Sequence, residues 1–104
     1  MNTLTDTILA ILMIGNTHYV DVGADTDAVI YYQSEQVAHM TLPGQDAWIG
    51  DLKLMKDGYH VAWKDGPAGD WKITHQAGEF TYIGPDGNAA GTITRIVPGN
   101  PEGY

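Results

Sequence analysis

The feature that most constrains this chain is its punctuation. From His18 onward, short runs rich in β-branched and aromatic side chains alternate with clusters of Gly, Pro, Asp and Asn. The runs are His18–Val22, Ala28–Gln33, Val37–Leu42, Trp48–Met55, Tyr59–Trp63, Trp71–His75, Phe80–Ile83 and Ala90–Val97. Between them stand turn signals such as Ala24-Asp25-Thr26-Asp27, Pro43-Gly44, Lys56-Asp57-Gly58 and Gly84-Pro85-Asp86-Gly87-Asn88. About eight strands at intervals of roughly ten residues are the pattern of an antiparallel sandwich or barrel. No second helical segment is available to build parallel crossovers.

The first fourteen residues read differently. Met1–Ile14 is predicted to be a short helix, with Thr3 or Thr5 as cap and Asp6 in the first turn. Leu4, Ile8, Ile11 and Leu12 form its expected apolar stripe, and Gly15-Asn16 ends it. Residues 17–97 make the β unit, and Pro98–Tyr104 reads as a loose tail. At 104 residues the whole is one domain.

Charge and composition exclude several functions. The formal net charge is −8, and Lys53, Lys56, Lys64, Lys72 and Arg95 form no dense run. Binding to nucleic acid or an anionic membrane needs a basic surface, so neither partner is expected. With no cysteine there is no disulfide and no thiolate chemistry. The apolar run Ile8–Ile14 is too short to span a bilayer and lacks the flanks of a signal peptide, so a cytoplasmic location is expected. No P-loop, dinucleotide fingerprint, His-Glu-x-x-His or Gly-x-Ser-x-Gly occurs.

What remains as chemistry is four histidines, His18, His39, His60 and His75, each in a different strand-like run. They are scattered singly, without the close spacing of a structural zinc site, and no metal site is expected. Alternation assigns faces. Tyr59, Val61 and Trp63 point inward, which turns His60 outward. Trp48, Leu52 and Leu54 share the inner face of their run. His18 lies with Val20 and Val22, and His75 with Trp71 and Ile73, so both are expected inside. For His39 the pattern is close to even. Arg95 alternates with Ile93 and Val97, so an inward guanidinium is open as a carboxylate anchor beside an outward edge charge.

The pieces resemble a loosely defined group of small bacterial lipocalin-like (calycin-type) β-barrel proteins. The matching residues are Gly15-Asn16-Thr17 after a short helix, Tyr31-Tyr32, Trp48, and Tyr59-His60-Val61-Ala62-Trp63 followed by Gly66-Pro67. The resemblance implies a small antiparallel barrel or half-barrel able to hold a ligand, and it implies no reaction.

Three functions are compatible with these residues. Three Trp and six Tyr with few polar partners suit a small-molecule pocket, with Tyr32, His39, Trp63, Tyr82 and Arg95 as its expected ligand-binding residues. A cofactor-free lyase or isomerase would use His18 or His75 as general base. An acidic interaction module would use its surface or a sheet edge. A homodimer is expected, since so many aromatics in a small core suggest shared apolar surface.

Overall fold

The computed structural model describes residues 2–104. The eight predicted runs form eight consecutive strands: β2 (Asn16–Asp21), β3 (Ala28–Tyr32), β4 (Val37–Thr41), β5 (Trp48–Met55), β6 (Gly58–Trp63), β7 (Ala68–Gln76), β8 (Glu79–Ile83) and β9 (Ala89–Pro98). Each pairs antiparallel with the next, and β9 pairs back onto β2, Thr17 opposite Val97 and Val20 opposite Ile93. The sheet is therefore a closed up-and-down barrel, and the open half-barrel alternative is set aside. Closure gives each of the eight strands a partner on both sides. Register shifts at Tyr19/Val20 and Tyr82/Ile83 supply local bends on either side of β9.

The N-terminal segment differs from the single helix expected over residues 1–14. Asn2–Thr3 form a short strand, β1, and the helix α1 spans only Asp6–Met13. Met1 lies outside the described residues. The reason lies in β7, which outruns its neighbour. β6 begins at Gly58, and its pairing with β7 stops at Tyr59 opposite Trp71. Thr74 and His75 are left with one free side, and β1 fills it, Thr3 opposite Thr74 and Asn2 opposite His75. Leu4 N–H then donates to the Ile73 carbonyl (2.8 Å) and Asp6 N–H to the Lys56 carbonyl (2.9 Å), tying the segment across one end of the barrel.

The helix plugs that end. It buries Leu9 and Met13, one turn apart, while Ile8 and Ile11 stay 65% and 70% exposed. The expected stripe through Ile8 and Ile11 is thus rotated. The run Ile8–Ile14 is apolar on every face, so its pattern does not choose which face docks. The choice falls to the geometry at the helix ends. Gly15, at φ 79°, ends the helix and its N–H donates to the Tyr32 carbonyl at 2.7 Å. The Asn16 side chain donates to the carbonyls of Ile11 and Leu12, each at 3.0 Å.

The last seven residues are docked, in contrast to the loose tail expected. Gly99 N–H donates to the Gly15 carbonyl, and Thr17 Oγ1 to the Gly99 carbonyl (2.8 Å). Tyr19 donates to Glu102 at 2.6 Å. The Tyr104 ring stacks on both Tyr31 and His39, and its hydroxyl lies 2.6 Å from that of Thr41. The tail is a strap over the outer faces of β2, β3 and β4.

Inside, the two halves of the barrel differ. Near the helix, Leu9, Met13, Leu52 and Ile73 pack into a closed core. Toward the far end the interior opens. Gly50 helps to keep it open, because a Cβ there would stand 2.7 Å from the Trp63 ring and 2.9 Å from the Ala62 carbonyl.

Candidate functional site

The open half of the barrel holds a cavity of about 260 Å³. Its walls come from every strand except β1, since each strand presents alternate residues inward. Val20, Val61, Ile30, Met40 and Leu42 line it, together with all three tryptophans of the chain, Trp48, Trp63 and Trp71. The lining is almost wholly apolar. The mouth lies at the end of the barrel away from the helix, where Val22, Leu42, Trp48, Pro67 and Ala90 stand beside the connecting loops. Those four loops, 22–27, 42–47, 64–67 and 84–88, carry exposed Asp25, Asp27, Asp46, Asp65 and Asp86 against a single Lys64.

Three tyrosines bring the only hydroxyls among the residues that line the cavity: Tyr32, Tyr59 and Tyr82. Each side chain is all but buried, at 1%, 3% and 3% exposure. Their hydroxyls meet in a row, Tyr59 to Tyr32 at 3.2 Å and Tyr32 to Tyr82 at 2.8 Å. The row continues into the protein. Tyr82 Oη is 2.5 Å from Nδ1 of His18, and His18 Nε2 is 2.8 Å from the Leu12 carbonyl. His18 is itself fully buried, edge-on to the Tyr32 ring at 5.0 Å. It does not line the cavity; the tyrosines stand between.

The Leu12 carbonyl sets the direction of every bond in this row. A carbonyl only accepts, so His18 Nε2 carries the hydrogen. Burial lowers the His18 pKa from 6.5 to about 4, against a smaller upward pull from the Leu12 hydrogen bond, so the ring is neutral at pH 7. Its Nδ1 is then a bare acceptor, and Tyr82 must donate to it. Tyr82 has one proton, so it accepts from Tyr32, and Tyr32 by the same count accepts from Tyr59. Burial first, and then another phenol of the row (Tyr82 for Tyr32, Tyr32 for Tyr59, Tyr59 for Tyr82), raises the pKa of each of the three tyrosines well above its ordinary value, so all three keep their protons.

The residues singled out from the sequence separate into two groups. His18, Tyr32, Trp63 and Tyr82 come together at or just beneath the cavity. His75, His39 and Arg95 do not. His75 keeps the inner face of β7, in line with Trp71 and Ile73, but lies next to the closed-end turn Ala77-Gly78. There it is half-buried and stacks on Phe80 with centroids 4.7 Å apart. Among the described residues no hydrogen bond or ring contact joins it to His18. His39 is on the outer face, because Ala38, Met40 and Leu42 take the inner one; it stacks on Tyr31 and its Nε2 donates to Gln33 Oε1 at 2.8 Å. Arg95 also points out, its guanidinium 4.1 Å above the Tyr19 ring. His60 is outward as alternation assigns, with Nδ1 2.8 Å from Asp70 on the neighbouring strand. Among the described residues, no three His, Asp or Glu side chains are gathered as a metal site would require.

Tyr59 is the cavity-lining tyrosine that sequence reasoning placed inside without giving it a role. Alternation turns it inward, but its partner Tyr32 is 27 residues away and on a strand it does not pair with. Compared with protein families, curated proteins and solved structures, the chain finds no match in any of the three.

Proposed function

We propose that the protein is a binding barrel of the lipocalin-like kind, holding one small apolar molecule in the open half of its interior. The observation that carries this reading is the cavity of about 260 Å³, apolar on nearly all sides and open at one end. Such a space in a barrel of this size suits one small ligand. The aspartates of the four mouth loops make the entrance electronegative, which favours neutral or cationic molecules over carboxylates.

The lyase or isomerase reading has less support. A general base must reach the proton that it removes. Both ring nitrogens of His18 are already engaged, one by Tyr82 and one by the Leu12 carbonyl. A proton passed down the tyrosine row would arrive at Nδ1 of His18, where burial, which lowers the pKa to about 4, opposes the charged ring.

The test uses the tryptophans as reporters, since all three line the cavity. Size-matched neutral, cationic and anionic apolar compounds are titrated while tryptophan emission and Tm are followed. Saturable emission changes and a raised Tm are expected for the neutral and cationic compounds, reaching about 2.7 kcal/mol of stabilisation at a hundredfold excess over Kd. Ala90→Trp at the mouth is expected to abolish both effects in a folded protein. Failure of the whole panel to bind would sink the reading.

A further inference from the structure

The direction of the tyrosine row has a chemical consequence for whatever enters the cavity. Tyr59 gives its proton to Tyr32, Tyr32 to Tyr82, and Tyr82 to His18. No phenolic proton is left over. The oxygens, by contrast, keep unused lone pairs: two on Tyr59 and one each on Tyr32 and Tyr82, by the inventory of a hydroxyl. We infer that the tyrosine floor of the cavity can only accept hydrogen bonds, so that the ligand of this site is an apolar molecule bringing an O–H or N–H donor to its buried end. This rests on the binding-barrel reading and narrows it, from apolar compounds in general to alcohols, phenols and amines.

A ligand that ends in a carbonyl or ether oxygen meets lone pairs facing lone pairs. It can be accommodated only if Tyr59 turns its proton away from Tyr32, which leaves Tyr32 with a bond unmade. A ligand that ends in a hydroxyl adds a fourth link to the row without disturbing it. Successive bonds of the same sense reinforce one another, so the added link gains from those already present. The backbone of α1 is thereby coupled to ligand choice: the Leu12 carbonyl, at the bottom of the row, sets the sense of the bond made at the top.

Borneol and camphor test this, being an alcohol and a ketone on one bicyclic skeleton, both neutral and nearly equal in size. Their affinities are measured by calorimetry and by tryptophan emission on the full chain. Borneol is expected to bind roughly tenfold more tightly, the scale of one net hydrogen bond. Tyr59→Phe takes one acceptor away but frees a second lone pair on Tyr32, so the floor still only accepts and borneol should keep its preference over camphor. Tyr82→Phe is the sharper variant. It takes away the acceptor of the Tyr32 proton, so the Tyr32–Tyr59 pair then has one proton too many. A donor becomes free, and camphor should gain on borneol.

Equal affinities in the unaltered protein, or tighter camphor binding, would overturn the inference while leaving the barrel a binder of apolar molecules. An unchanged borneol-to-camphor ratio in Tyr82→Phe would overturn it as well. If neither compound binds, nor any other apolar compound, the inference and the reading beneath it fall together.

Discussion

The hydroxyl of Tyr82 and Nδ1 of His18 stand 2.5 Å apart, although 64 residues separate them in the chain. The contact joins β8 to β2 across β9, the last strand of the barrel. It gives the one fully buried imidazole a donor on one side, while Leu12 gives it an acceptor on the other. A buried polar ring so satisfied costs little; the same ring charged, or missing one partner, costs several kcal/mol.

Acid should therefore weaken the fold through His18. The unfolded chain takes up a proton below about pH 6.5, and the folded protein only below about 4. Between these values the unfolded state holds more protons, so stability falls as pH falls through that window and levels off beneath it. The size is on the order of 3 kcal/mol, from 1.36 kcal/mol for each unit. Urea unfolding from pH 7.5 to 3.5, run on the protein and on His18→Gln, checks it. The variant should be less stable at neutral pH and show a shallower decline.

Removing phenol oxygens one at a time should reveal an order. Tyr32→Phe interrupts the row in the middle, leaving the Tyr59 proton without its acceptor and Tyr82 without its donor. Tyr59→Phe removes only the end, and Tyr32 merely loses a donor. Chemical denaturation should place Tyr32→Phe about 1–3 kcal/mol below the unaltered protein and Tyr59→Phe within about 1 kcal/mol of it. Equal losses would mean that the bonds are not directed as described.

Gly50→Ala should be disruptive although it adds one methyl group. That carbon would sit 2.7 Å from the Trp63 ring and 2.9 Å from the Ala62 carbonyl. Backbone on the paired strand cannot retreat easily, so a loss of about 1–3 kcal/mol is expected. A shift in tryptophan emission should accompany it, as Trp63 is pushed into the cavity.

Much of the barrel is legible in the sequence because turns and alternation are local. Pro43-Gly44, Lys56-Asp57-Gly58 and Gly84–Asn88 mark connections wherever the strands end up. The faces of β6 follow from Tyr59, Val61 and Trp63 alone. What is hidden depends on contacts between distant segments. His75 is on the inner face as its neighbours imply, yet alternation says nothing of depth along the barrel, and depth is what separates it from the cavity. His39 alternates with one face nearly as apolar as the other, so Ala38, with its small side chain, gives little warning that it is the buried one at 1% exposure. The tail shows no strand period at all. It docks through Tyr104, whose partners Tyr31, His39 and Thr41 only become a surface once β3 and β4 are paired.

The seam between β2 and β9 also bears on how the molecule is made. Seven of the eight barrel pairings join strands adjacent in the chain and can form hairpin by hairpin. The eighth brings together Asn16 and Pro98, and it closes only after everything between them exists. A ribosome-bound chain without β9 carries β2 and β8 as open edges, with the cavity's apolar lining turned toward water. The period of greatest danger from aggregation thus ends in one event, when the tenth element of the chain slides between the second strand and the eighth.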